Sequence, residues 1–320
     1  MRKSALLFVL GAVPLFCTCF FKTKSSGPDI PAVETASNDS FVQQELPLPE
    51  VPADLTDPVK RADYIMEHYW DRLDICDTLR SHNRMYMEQN VVNFISLFPH
   101  GRKQELPSFI GNLLKRAETD STAFSIVTDV MERYLDDPNS PMRNEEYYIL
   151  FLEEYLRLPG LSEYDRMRPA YQLEMAKKNR PGAIAADFAY IDRNGGKRTL
   201  HSTSGKRIML LFYDPECDHC SAILQQLYES SLLRELIDRK KLIVLAIYTE
   251  GNRELWNETK DSMPQEWYVG MDADGIFEHE IYALPAMPII YLLDKDKTVL
   301  LKDTNQSTLE DYLSKTLDEN

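Results

Sequence analysis

The sequence predicts two architectures in succession, an all-α segment followed by a mixed α/β segment. Three observations carry this. From residue 57 to 179 apolar side chains recur every three or four positions, and no strand-like alternation appears before Gly182. After Gly182, short apolar runs bounded by turn residues alternate with amphipathic helical stretches. The length, 320 residues, is room for about two ordinary domains, and 43% hydrophobic with 27% charged residues is a globular composition. A net charge of −15 repels phosphate backbones and excludes nucleic acid as a partner.

The chain opens on an export signal. Arg2 and Lys3 precede an apolar core from Ala5 to Phe16, too short for a spanning helix of about 20 residues. Cys17 and Cys19 close it. A small residue before a cysteine marks lipoprotein processing; Thr18 makes Cys19 the expected lipidated residue, while the bulky Phe16 disfavours Cys17. An uncleaved anchor or simple secretion are the alternatives, and all three place the protein in an exported, oxidising compartment. Residues 1–19 are thus read as signal. Residues 20–56, rich in Ser, Thr and Pro without an apolar period, are read as a disordered tether.

Residues 57–179 form the all-helical segment. Asp57-Pro58 is an N-cap followed by proline at the first helical position, and Ala62, Ile65, Tyr69 and Leu73 follow at helical spacing. Met87, Val91, Phe94 and Phe98 repeat the pattern. Asp120 caps a run through Phe124, Val127, Met131 and Leu135; Ser140-Pro141 is expected to open another through Tyr147, Phe151 and Tyr155. Ser162 to Lys178 is a last helix, expected to bend or restart at Pro169. Five or six helices result, their aromatic stripes serving as core. Cys76, one place off the Leu73 stripe, is expected to be a buried, inert thiol on a helix.

Residues 180–320 form the α/β segment. Ile184–Ile191 and Lys197–His201 flank the turn Asp192-Arg193-Asn194-Gly195-Gly196 as a hairpin. Arg207–Tyr213 and Leu242–Tyr248 are continuous apolar runs, as buried central strands are. Ser221–Asp238, Arg253–Lys260, Ile276–Ala283 and Leu309–Leu317 read as helices, and Glu266–Gly270 as a short strand. Ile289–Leu293 and Thr298–Lys302 form a final hairpin. Trp256, Trp267 and Tyr268 are expected in the core rather than at a peptide groove, and Glu278 and Glu280 on a solvated helix face.

The chemistry sits at Cys217-Asp218-His219-Cys220, where a strand runs into a helix. This spacing is what dithiol–disulfide exchange requires. Cys217 would lie at the helix N-terminus, whose free N–H groups and dipole favour a thiolate. Cys220, one turn deeper, could attack a mixed disulfide on Cys217. Asp214, Glu216 and Asp218 oppose the Cys217 thiolate; a protonated His219 favours it. A zinc knuckle lacks a second Cys/His pair, and the other histidines are scattered without metal spacing. A peroxiredoxin would need threonine and proline where Asp214 and Leu210 stand.

With the hairpin before it and Ala286-Met287-Pro288-Ile289 before the final hairpin, this motif resembles the thioredoxin superfamily. Over about residues 182–320 the chain is similar to its exported, membrane-tethered, lipoprotein-type thiol–disulfide oxidoreductases. The resemblance implies an α/β thioredoxin-like fold (C-terminal) preceded by the all-α domain. It implies that Pro288 is a cis-proline and that it and Met287 hold an extended substrate strand, with Cys217 and Cys220 catalytic and His219 tuning the thiolate. It implies no cofactor, no metal, protein thiol or disulfide substrates, and a thiol electron-donor protein. It further implies a lipid anchor at Cys19 in the periplasm-facing cell envelope, and a reductase rather than an oxidase. Two departures stand out: Leu211 replaces the buried acid that relays protons to the resolving thiol, and Glu216 replaces the tryptophan before the first cysteine. The competing reading is a non-catalytic envelope scaffold on the same fold.

Overall fold

The computed structural model of the chain describes residues 45–316. The signal segment with Cys17 and Cys19, and residues 20–44 of the expected tether, lie outside the described residues; the end of that tether is instead held down, with Leu46 buried in the helical core and its N–H donated to Asn90 Oδ1 at 2.8 Å. The helical region holds α1 (Pro58–His68), the one-turn α2 (Thr78–Ser81), α3 (Arg84–Ser96), α4 (Leu106–Ala117), α5 (Ser121–Leu135), α6 (Glu145–Leu156) and α7 (Glu163–Lys177). Local chemistry sets most of the starts. Asp57, Asn83 and Asn144 each accept a backbone N–H three residues on, Asp120 accepts those of Thr122 and Ala123, and Ser162 and Asp165 form a capping box. The apolar faces close on one cluster that includes Trp70, Met87, Phe94, Ile110, Val130 and Phe151.

Four details differ from the sequence expectation. Helix α4 is not among the expected helices, although Leu106, Phe109, Ile110, Leu113 and Leu114 are all buried on it. Ser140-Pro141 makes a turn, and Asn144 starts α6 instead, because its side chain caps the Tyr147 N–H. α7 runs through Pro169 without restarting; its packing on α6, with Lys177 paired to Glu153 at 2.7 Å, outweighs the missing hydrogen bond. Cys76 lies exposed in a turn, because Ile75 takes the inward place.

The sheet has seven strands: β1 (Ala189–Asp192), β2 (Lys197–Thr199), β3 (Arg207–Tyr213), β4 (Ile243–Tyr248), β5 (Tyr268–Asp272), β6 (Ile289–Asp294) and β7 (Val299–Leu301). Their order is β2-β1-β5-β4-β3-β6-β7, with β5, β4 and β3 parallel and the outer pairings antiparallel. Period-two alternation divides β3 between two cores. Met209, Leu211 and Tyr213 pack beneath α8 (Asp218–Glu229), α9 (Ser231–Asp238) and α11 (Gln306–Thr316). Ile208, Leu210 and Phe212 pack with Ala185, Phe188 and Tyr282 on the other face. Trp256, on α10 (Arg253–Thr259), and Trp267 are core residues, as expected, whereas Tyr268 is half exposed.

Three predicted elements of this region are corrected. Ile184 to Ile191 is not one strand: Ile184 bridges Thr298 beside β7, and only from Ala189 does the chain pair with β2 and β5. The helix expected over Ser221–Asp238 starts earlier and is split at Ser230, which is extended and whose hydroxyl caps the Leu233 N–H. Ile276–Ala283 is a turn segment. The Asp272 carboxylate takes the Asp274 and Ile276 N–H groups, and Glu280, at φ 51°, ends the single turn. Among the described residues no helix is long and apolar enough to cross a membrane.

Candidate active site

β3 delivers the chain to the site. Its last residue, Tyr213, is followed by a turn in which Asp214 accepts the N–H groups of Glu216 (side chain, 3.0 Å) and Cys217 (backbone, 3.3 Å). Cys217 is the N-cap of α8. Its Sγ accepts the Cys220 N–H at 3.3 Å, and its carbonyl accepts the Ser221 N–H at 3.1 Å. The sulfur thus occupies the place an N-cap oxygen would take, facing the unpaired N–H groups of the first turn. Cys217 and Cys220 are both unbonded thiols; the first is half-buried and the second wholly buried. Burial pushes the Cys220 thiol up to about 12. Leu211, where the resemblance would place an acid, is itself fully buried in the same apolar cluster. His219 is exposed in the first turn of α8.

The antiparallel register of β3 with β6 sets Phe212 opposite Ile289. Pro288, one residue before Ile289, therefore lies level with the end of β3 and close to the turn that carries Cys217. The Met287–Pro288 peptide bond is cis. Met287 and Cys217 pack against the apolar cluster that contains Cys220. Cys217, Cys220 and Met287 are thus brought together, with Pro288 beside them. Cys19 lies outside the described residues. Among those residues no group of three His, Cys, Asp or Glu could hold a metal ion.

The loop before Met287 is tied to the helical region. Tyr171 donates its hydroxyl to Glu280 at 2.7 Å, and Lys178 Nζ reaches the Glu280 carbonyl at 2.7 Å. Asn179, buried just past α7, donates to the Ile281 carbonyl at 2.9 Å and accepts the Ala186 N–H at 2.8 Å. Glu280, expected on a solvated helix face, is therefore part of a contact between the two regions. The sequence gives no sign of these contacts, because the Glu280 and Ile281 partners lie more than 100 residues away along the chain.

Residues 22–179 match the model of a domain of unknown function, DUF5106. No curated protein matches the chain. A solved thioredoxin-like protein from Bacteroides caccae ATCC 43185 is 36% identical; the alignment covers 85% of this chain and 99% of that one, with a TM-score of 0.79. The chain belongs to the thioredoxin-like proteins. Two further solved structures match part of the chain. The C-terminal domain of an uncharacterized protein from Bacteroides fragilis NCTC 9343 is 35% identical, covering 42% of this chain and 98% of its own, with a TM-score of 0.42. A domain of a possible thiol-disulfide isomerase from Cytophaga hutchinsonii ATCC 33406 is 26% identical, covering 45% and 99%, with a TM-score of 0.38. The similarity to the Bacteroides caccae protein extends across both the helical region and the sheet. In this thioredoxin-like protein the paired cysteines stand at the strand-to-helix junction, with the cis-proline beside them.

Proposed function

We propose that this thioredoxin-like protein is an exported thiol–disulfide oxidoreductase, with Cys217 as nucleophile and Cys220 as resolving thiol. The observation that carries the reading is the asymmetry of the pair. Cys217 is accessible and sits at a helix N-terminus; Cys220 is sealed beneath it, with its N–H on the Cys217 sulfur.

The Cys217 thiolate attacks one sulfur of a substrate disulfide. A mixed disulfide forms, and the other substrate sulfur leaves as a thiolate that takes a proton. Cys220 then gives up its proton and attacks the Cys217 sulfur, closing the 217–220 disulfide and releasing the second substrate thiol. Two electrons pass from the protein dithiol to the substrate, and a partner thiol protein restores them. The Met287 backbone beside Pro288 holds the substrate segment as an extended strand. His219, when protonated, supports the thiolate. Reduction is preferred to oxidation, lipidation at Cys19 tethers the protein to the periplasm-facing side of a membrane, and no bound cofactor takes part.

The test is the redox equilibrium of the 217–220 pair across thiol/disulfide buffers. A potential near or below about −270 mV supports a reductase; one near about −120 mV supports an oxidase. A Cys217→Ser variant should lose exchange activity with its fold intact, and Cys220→Ser should accumulate the mixed disulfide. A pair that cannot be reduced without unfolding would sink the catalytic reading in favour of a scaffold.

A further inference from the structure

Close to Met287 the chain leaves a cleft of about 480 Å³ between the helical region and the loop 277–285. Much of its accessible wall is apolar. Tyr171 and Met175 come from α7, and Phe277, Ala283, Leu284 and Pro285 from the loop. Phe277 is 61% exposed and Tyr171 51% exposed. Tyr164 and Met167, also exposed, continue the row along α7 at helical spacing. Large apolar side chains left together in water mark a surface that meets a partner.

The position of the cleft says what covers it. Leu284 and Met287 pack against the same apolar cluster, and Met287 also packs against the second cluster, together with Cys217 and Cys220. The cleft is therefore continuous with the cysteine site through Met287. Pro285 is two residues from Met287, at most about 7 Å along the chain. From Ala283 to Met287 no backbone N–H or carbonyl has a hydrogen-bond partner among the described residues. A polypeptide laid along this loop finds free donors and acceptors, which a small apolar molecule would leave unused. Carboxylates outnumber cations along the cleft, five to two, which disfavours an acidic segment.

We propose that this cleft receives an aromatic side chain of the disulfide-bearing polypeptide, two to four residues from its reacting cysteine. The helical region, through α7, then shares in choosing the substrate. The rings of Phe277 and Tyr171 and the thioether of Met175 favour an aromatic guest over an aliphatic one. This substrate preference rests on the proposed exchange function, and the experiment below separates the two.

The test uses single turnovers of the full chain, reduced, with Cys17, Cys19 and Cys76 replaced by serine. The probes are 2-hydroxyethyl disulfide and the symmetric disulfides of two blocked peptides, Phe-Ala-Ala-Cys-Ala-Ala-Phe and its counterpart with serine for phenylalanine. In each turnover Cys217 and Cys220 give up two electrons and close their own disulfide, and the probe disulfide becomes two thiols. The phenylalanine peptide should half-saturate the reaction at a concentration at least about tenfold lower than the serine peptide, with similar limiting rates. Phe277→Ser should bring the two half-saturation concentrations together. Equal values for the two peptides, in a chain that reduces 2-hydroxyethyl disulfide, overturn the cleft and leave the exchange function standing. Failure to react with any of the three probes overturns the exchange function, and the substrate preference with it. A folded Phe277→Ser chain that keeps the full preference overturns the placement of the side chain in this cleft. A chain that dimerises in sedimentation unless Phe277 is replaced assigns the surface to a second copy, and equally overturns the proposal.

Discussion

The sulfurs at positions 217 and 220 sit one helical turn apart and meet different surroundings. Cys217 is reached by solvent and by the N–H groups of the first turn, whereas Cys220 lies in the apolar cluster beside Leu211. Desolvation leaves the Cys220 thiol protonated until pH approaches about 12, and Leu211 offers no acid to relieve it. Cys76 is exposed and would also react, and Cys17 and Cys19 would add to the count, so the experiment belongs in a chain with Cys17, Cys19 and Cys76 all replaced by serine. There, iodoacetamide at pH 8 should modify one thiol, Cys217, with Cys220 slower by at least about a hundredfold, because the thiolate is the reactive form. Equal rates, followed by mass spectrometry, would contradict the burial argument. The cysteine pair at the end of an apolar strand was legible in the sequence, since the C-x-x-C spacing and the strand before it are local; Pro288, far along the chain, entered only through the resemblance to the thioredoxin superfamily. The exposure of Cys76 was not, because one residue of turn decides whether position 75 or 76 points inward.

At the scale of elements, the segment 273–287 shows how local propensity yields to its anchors. Its composition suggests a helix, yet the Asp272 carboxylate takes the first N–H groups, and Ile276 and Tyr282 are drawn into the core. Asn179 then fixes the segment from outside. It stands just past α7 at φ 50°, a left-handed conformation that asparagine tolerates, and it bonds both Ile281 and Ala186. Asn179→Ala removes two partly buried hydrogen bonds and adds left-handed strain, for an expected loss of about 2 kcal/mol in urea unfolding. Asn179→Gly loses the same bonds without the strain and should cost less. In both variants the amides of residues 281–284 and 286 should exchange faster with solvent. Unchanged exchange there would mean that Asn179 does not hold the loop. No periodicity in the sequence announces this residue, because its partners are set by how α7 meets the sheet.

Across the whole molecule, charged groups join the helical region to the chain that follows it. Arg180 grips Glu146 through two bonds at 2.7 and 3.0 Å, Lys103 adds a third at 2.9 Å, and Lys302 is buried against Glu145. The Arg180 hydrogen bonds hold the Glu146 carboxyl down at about 2, below its ordinary 4.5. A carboxylate lowered on folding stabilises the fold above its unfolded value, and that contribution is lost as pH falls through about 2. Glu145 goes the other way, raised by burial despite Lys302. Glu146→Gln should therefore flatten the loss of stability between about pH 4.5 and 2.5 in urea titrations. An acid limb as steep as that of the unaltered chain would place the acid sensitivity elsewhere.

Sequence periodicity alone determined the order of a helical region and then an α/β region, the apolar strands β3 and β4, and the cysteine pair at a strand-to-helix junction. These are local matters: side-chain spacing, caps and turn residues act within a few positions. The tertiary structure alone decided the split of the helix after Cys217, the loop that replaces the helix before Met287, the Asn179 and Glu280 contacts, and the cleft lined by Tyr171 and Phe277. Each of these depends on groups far apart in the chain being packed together, where burial sets what a charge or hydroxyl must find as a partner.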